Sequence, residues 1–199
     1  PVPGLDQTPF LTNESLFTNT QAPDHLAIMG GGPIGAEMAQ AHRRLGCNVT
    51  LIEMAPSIMG KDDPDLVDVV RRQLLAEGVD VRENTRATAV SGTAGAIKID
   101  LSTPTGAETI SASHLLVATG RKPAIERLNL DAAGIAHTPQ AITVRPNMRT
   151  SVRHIFAIGD VVGGPQFTHM AGHHASVVVR EMLFRLPTKA NTTTVPWVT

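Results

Sequence analysis

Six consecutive residues, Gly30-Gly31-Gly32-Pro33-Ile34-Gly35, limit what this chain can fold into more than any other feature. They follow a short apolar run, Leu26-Ala27-Ile28-Met29, which predicts a buried parallel strand. They open a helical stretch over residues 33–45, with Gly46 as its stop. In the pattern G-x-G-x-x-G, Gly30 permits a sharp turn, Gly32 lets backbone approach a pyrophosphate, and Gly35 lets helix and strand pack closely. Pro33 suits the first helical position, and the first turn around Pro33 and Ile34 offers unpaired N–H groups and a positive dipole end. An anionic diphosphate sits well there. A structural glycine turn is the simpler alternative; the flanking strand, helix and acid favour a dinucleotide site.

That acid is Glu53. It closes a second predicted strand, Val49-Thr50-Leu51-Ile52, and lies 18 residues after Gly35, where a ribose-binding carboxylate belongs. Such a carboxylate accepts hydrogen bonds from both hydroxyls of an adenosine ribose and meets a 2′-phosphate as a like charge. The following residues are Met54, Ala55, Pro56 and Ser57, with no arginine among them. The sequence therefore predicts NAD(H) in preference to NADP(H). The competing reading of Glu53 is a solvated glutamate at a strand end.

Asp63 and Pro64 then mark the cap and first position of a second helix, with Leu66, Val67, Val70, Leu74 and Leu75 at helical spacing and Gly78 after it. Residues 79–82 predict a third strand. After Ala87 the periodicity changes. Stretches such as 96–101 and 109–111, split by Gly and Thr-Pro-Thr-Gly turns, predict an antiparallel meander beside the parallel sheet. Residues 114–118 return to an apolar run, 123–150 are loop-rich, and 155–158 predict another buried strand closed by Gly159-Asp160. A helix is expected over 168–184, then a linker-like tail. Residues 1–25 read as an irregular entry segment.

Composition excludes other classes. A net charge of −1 gives no reason to expect a nucleic-acid groove, and no apolar run approaches the roughly 20 residues of a membrane-spanning helix. The single cysteine, Cys47, excludes an internal disulfide framework, suits a packing role, and makes a cytoplasmic setting the default. His169 and His173 stand at i, i+4 beside His174, but no further ligand completes a zinc set, so no metal is expected.

Four blocks occur in order: Gly30 to Glu37, Val49 to Glu53, Ala118-Thr119-Gly120-Arg121, and Ile155-Phe156-Ala157-Ile158-Gly159-Asp160. Together they make the chain resemble the pyridine nucleotide–disulfide oxidoreductases, particularly the dihydrolipoamide dehydrogenase and mercuric reductase branch. The resemblance implies an α/β fold: a Rossmann-type three-layer NAD(P)-binding domain, parallel sheet plus antiparallel meander, with a partial FAD-domain segment. By the same resemblance, residues 1–24 are the tail of a first FAD segment, 25–122 the NAD domain, 123–187 a second FAD segment, and 188–199 a linker toward a dimerisation domain. Gly120 joins the NAD site. Glu37 lies near the nicotinamide, with a plain helix-surface glutamate as the alternative. Asp160 holds the flavin ribityl chain, with a capping role as the alternative, and Gly159 joins the FAD site. Thr168, His169 and Met170 begin the helix whose N–H groups face the flavin.

The chain also departs from the family. It lacks the first FAD glycine fingerprint, the C-x4-C redox pair and the C-terminal His-Glu pair, and residue 124 is alanine where asparagine is frequent. Pro1 in place of an initiator methionine points the same way, to a piece of a longer flavoprotein that passes hydride from NADH to FAD and on to an acceptor. The parent is expected to be a homodimer. The piece alone is expected to bind NAD(H) without turnover and, with apolar surface uncovered, to self-associate. A non-catalytic NAD-sensing or interaction module is the alternative.

Overall fold

A computed structural model describes residues 2–197. The chain divides into two compact units, one ending at Gly120 and the other beginning at Arg121.

In the first unit the elements run β1 (His25–Met29), α1 (Pro33–Arg44), β2 (Asn48–Ile52), α2 (Pro64–Ala76), β3 (Asp80–Arg82), β4 (Arg86–Thr93), β5 (Ala96–Thr103), β6 (Gly106–Ala112) and β7 (His114–Val117). The order β3-β2-β1-β7 makes a parallel sheet, and β4-β5-β6 a separate antiparallel one. Successive side chains of β1 alternate between two cores. Leu26 and Ile28 join Ala36, Ala39, Leu51, Val67 and Leu74 on the helical side. Ala27 and Met29 join Ile97, Ile99, Leu101 and Leu115 on the meander side. Burial on both faces explains why β1 is a continuous apolar run rather than an alternating one. The fold is thus mixed α/β with the expected pair of sheets.

Local signals set the boundaries. Asp63 Oδ1 accepts from the Asp65 N–H at 3.0 Å, as its capping role requires. Gly46 and Gly78 both have positive φ just beyond a helix. Two expectations are corrected along α2. Val67 and Leu74 are buried, but Leu66 is 68% and Leu75 50% exposed, because the helix lays only a narrow stripe on the sheet. β3 begins at Asp80 rather than Val79, and β4 is a full strand that the sequence did not mark. The entry segment is irregular but anchored: Leu11 bridges Leu116 in parallel, and the Val90 N–H donates to Pro3 O at 2.9 Å.

The C-terminal ends of α1 and α2 are tied by Glu77. Its carboxylate accepts from Arg44 Nη2 at 2.6 Å and Nε at 2.9 Å, from Gln73 Nε2 at 2.7 Å, and from Gln40 Nε2 at 3.0 Å. The Arg44 guanidinium first, then Gln73, lower its carboxyl from 4.5 to about 2. A carboxyl depressed on folding contributes stability that is fully present above its unfolded value and is lost as pH falls through its folded one. Glu77→Gln should therefore melt below the parent chain near neutral pH, and the two should converge between 4.5 and about 2. Melting curves across that window check this; a gap that stays constant would remove Glu77 from the acid response.

The second unit is mostly irregular. It holds 3-10 turns at Glu126–Leu128 and Gly159–Val162, a short hairpin of β8 (His137–Thr138) and β9 (Ala141–Ile142), and α3 (Thr168–Phe184). Ile125, Leu130, Ile135, Ile142 and Ala157 form its core. The buried strand expected over 155–158 is not formed. A single antiparallel bridge joins Arg149 and Phe156, Ala157 alone is buried, and Ile158 is 38% exposed. No long strand of this unit lies beside the segment to extend a ladder, and the Arg149 guanidinium stacks over the Phe156 ring at 4.5 Å instead. The tail is docked on α3: Thr188 Oγ1 donates to Val177 O at 3.1 Å, and the Asn191 N–H donates to His173 Nε2 at 3.1 Å. Met182, Leu183, Phe184 and Leu186 at the end of α3 are exposed. No helix among the described residues is long and apolar enough to cross a membrane.

Candidate functional site

The glycine loop connects β1 to α1, and each glycine in it answers a different demand. Gly30 has φ +107°, and a Cβ there would stand 2.5 Å from Ala118 O, so only glycine fits between the ends of β1 and β7. A Cβ on Gly35 would stand 1.8 Å from Gly30 O, so no side chain fits between the first turn of α1 and the loop that leads into it. A Cβ on Gly31 would meet Ile58 Cγ2 at 2.8 Å and Glu53 Cβ at 2.9 Å. At Gly32 nothing lies within 4 Å, and the backbone is extended, with φ −68° and ψ −177°. Neither strain nor crowding within the fold requires glycine at that position, so the space is open. Gly120, at φ +148°, is equally open.

Gly32 caps α1 without a side-chain hydrogen bond, and Pro33 occupies the first turn. Pro33 is exposed and Ile34 half-buried. The N-cap of α1 thus has no side-chain partner, and the space at Gly32 is open. Glu53, just beyond the end of β2, turns back onto it: its Oε2 accepts from the Gly31 N–H at 2.7 Å, and its Oε1 accepts from the Ala55 N–H at 2.7 Å. Each carboxylate oxygen retains a lone pair for another donor. The N-terminus of α1 thus stands beside an oriented carboxylate, and Gly30, Gly31, Gly32, Gly35 and Glu53 are brought together there. Glu37 lies on the exposed side of α1, one turn from Pro33.

The residues expected around a flavin lie in the second unit. Asp160 is exposed in the turn Gly159–Val162. The Gly163 N–H donates to the Asp160 main-chain oxygen. Thr168 and His169 are exposed at the start of α3 and Met170 is buried; Phe167 caps this helix without a side-chain bond. The His169 ring stacks on Phe167 at 5.1 Å. His174 proves structural: buried, its Nδ1 accepts from the Gly159 N–H at 3.2 Å, and burial, then the neighbouring His173, lower its pKa. The spacing of Met170, His174 and Val177, all buried on one face, was the signal available for this. Cys47 is buried and its thiol pushed up by burial and by Asp24. Sequence reasoning gave no role to Glu83, whose Oε1 accepts from the Ile58 N–H at 2.9 Å beside the glycine loop.

Known proteins resemble this chain in sequence and in fold. The family described as pyridine nucleotide-disulphide oxidoreductase matches residues 1–175. A mercuric reductase of Shigella flexneri is 39% identical over 172 residues, which are 86% of this chain and 30% of that protein. A dihydrolipoyl dehydrogenase of Bacillus subtilis is 36% identical over 167 residues, 84% of this chain and 36% of that protein. The solved HOCl-induced flavoprotein disulfide reductase RclA from Escherichia coli superposes with a TM-score of 0.86 at 31% identity, covering 96% of this chain and 43% of that one. The chain spans about a third of the length of the curated relatives it matches. With a glycine-lined helix mouth, an oriented strand-end acid and these relatives, the chain belongs to the pyridine nucleotide-disulphide oxidoreductase family.

Proposed function

We propose that the first unit binds NAD(H), preferring it to NADP(H), as the nicotinamide-nucleotide portion of an FAD-dependent oxidoreductase. The observation that carries this reading is Glu53: its Oε2 lies 2.7 Å from the Gly31 nitrogen, beside the open N-cap of α1. The helix mouth at Gly32, Ile34 and Gly35 would hold the diphosphate, and Glu53 the adenosine ribose. Glu37 would stand near the nicotinamide. In the whole protein, residues 123–187 would belong to the FAD domain, with Asp160 on the ribityl chain and Thr168, His169 and Met170 at the helix facing the flavin. The bound nucleotides supply hydride chemistry: the nicotinamide gives a hydride that the flavin accepts.

Within these residues a disulfide acceptor has no redox partner, since buried Cys47 is the single cysteine. The chain alone is therefore expected to bind nucleotide without turnover, and the parent to act as a cytoplasmic homodimer. Titration of the chain with NADH and NADPH, followed by nucleotide fluorescence, tests the reading. NADH should bind at least about tenfold more tightly, a difference of about 1.4 kcal/mol. Equal or tighter binding of NADPH, or no binding of either, would overturn it.

A further inference from the structure

The loop that carries Glu53 onto the glycine turn is held at three levels. At its base the Glu53 N–H donates to Arg82 O at 2.8 Å, and the Thr85 and Asn84 N–H groups donate to Glu53 O and Ala55 O, each at 2.9 Å. At its far end the Met59 N–H donates to Gly31 O at 2.8 Å. Between them no backbone partner serves the Ile58 N–H, and a side chain takes its place: Glu83 Oε1 accepts it at 2.9 Å. Ile58 is fully buried and wedges under Gly31, leaving no room there for a Cβ. Arg71 Nε stands 3.5 Å from the same Glu83 oxygen and holds that carboxylate against α2.

We infer that Glu83 is a positioning residue for nucleotide selection: by holding Ile58, it keeps the loop over 54–58 in the shape that aims Glu53 at Gly31. This inference rests on the NAD(H) reading above. The reason is mechanical. Ala55 sits on Glu53 Oε1 and Gly31 on Oε2, so the carboxylate plane is set by two backbone groups that the loop itself connects. If Ile58 shifts, both move. A carboxylate free to rotate grips the ribose less and repels a 2′-phosphate less, so discrimination falls while the fold remains.

Glu83→Asp draws the acceptor back by one methylene and strands the Ile58 N–H; Glu83→Gln retains an acceptor of the same reach; Arg71→Ala removes the ion pairs to Glu83 and Asp68 and leaves the acceptor for the Ile58 N–H in place. For Glu83→Asp, the ratio of NADH to NADPH affinity should fall about five- to tenfold, while Glu83→Gln and Arg71→Ala stay within about twofold of the parent chain. Amide hydrogen exchange of the nucleotide-free chain gives a readout independent of binding. In Glu83→Asp the Gly31 and Ala55 amides should exchange about fivefold faster along with Ile58. Faster exchange at Ile58 alone, or an unchanged affinity ratio, would overturn the inference. If the parent chain binds neither nucleotide, the NAD(H) reading fails and the exchange data still decide whether Glu83 positions Glu53. Should Glu83→Asp not fold, a collapsed ratio in Glu83→Gln or Arg71→Ala overturns the inference, and a retained ratio in both supports the hydrogen bond to Ile58 as the operative contact.

Discussion

Replacing Glu53 with alanine should lower NADH affinity about 10- to 100-fold and abolish discrimination against NADPH. A hydrogen bond to a charged group is worth about 1.5–3 kcal/mol, and about 1.4 kcal/mol is a factor of ten. Loss of one such ribose contact therefore already spans the range. The loop adds to it, because Gly31 and Ala55 lose their acceptor together and the helix mouth loses its fixed rim. NADPH gains in relative terms, since the like charge facing a 2′-phosphate disappears. Glu53→Gln separates the two effects. Its one carbonyl oxygen serves Gly31 or Ala55 but not both, so an intermediate loss is expected with the repulsion removed. Calorimetric titration of both nucleotides against the parent and both variants checks the order. If all three bind NADH equally well, Glu53 is a solvated strand-end residue whose contacts serve only the loop.

The parts of this site legible in the sequence were those fixed by neighbours along the chain. Gly30 to Gly35 and the cap at Asp63-Pro64 are punctuation whose backbone demands are local, and the structure has α1 and α2 beginning where they direct. Contacts between distant segments were not legible. Nothing near Ile58 announces that it needs Glu83, 25 positions away, to complete its hydrogen bonding. β4 was missed because only Val90 of its eight residues is buried, so no apolar alternation marked it. Residues 155–158 erred the opposite way. Four apolar residues in a row describe a buried strand only when strands lie on both sides, and in this unit one bridge to Arg149 is all that forms. His174 was likewise not legible, since its role depends on the Gly159 N–H, 15 positions away.

Two glycines of the same loop, unlike in environment, allow the strongest separation of fold from binding, since Gly35→Ala and Gly32→Ala should fail in different ways. In a helix interior, glycine to alanine normally gains about 0.5–1 kcal/mol from backbone entropy. At Gly35 that gain is overridden. The new Cβ would stand 1.8 Å from Gly30 O and 3.0 Å from Gly30 C, both backbone atoms that no rotamer change can move aside. Strand and helix must part, and overpacking of this kind costs about 1–3 kcal/mol. At roughly 2–4 °C per kcal/mol for a chain of this size, the melting temperature should fall by several degrees with or without nucleotide. At Gly32 the added methyl meets nothing within 4 Å, and the extended backbone there suits any residue. Stability should drop by no more than about 1 kcal/mol, through the poorer N-cap alone. On the proposed NAD(H) reading the methyl enters the space of the diphosphate, so NADH affinity should fall at least about tenfold. Thermal melts and NADH titrations of both variants decide the matter. A Gly32→Ala chain that keeps full affinity would leave the glycine turn a packing device, since the crowding at Gly30, Gly31 and Gly35 already accounts for the glycines the fold requires there.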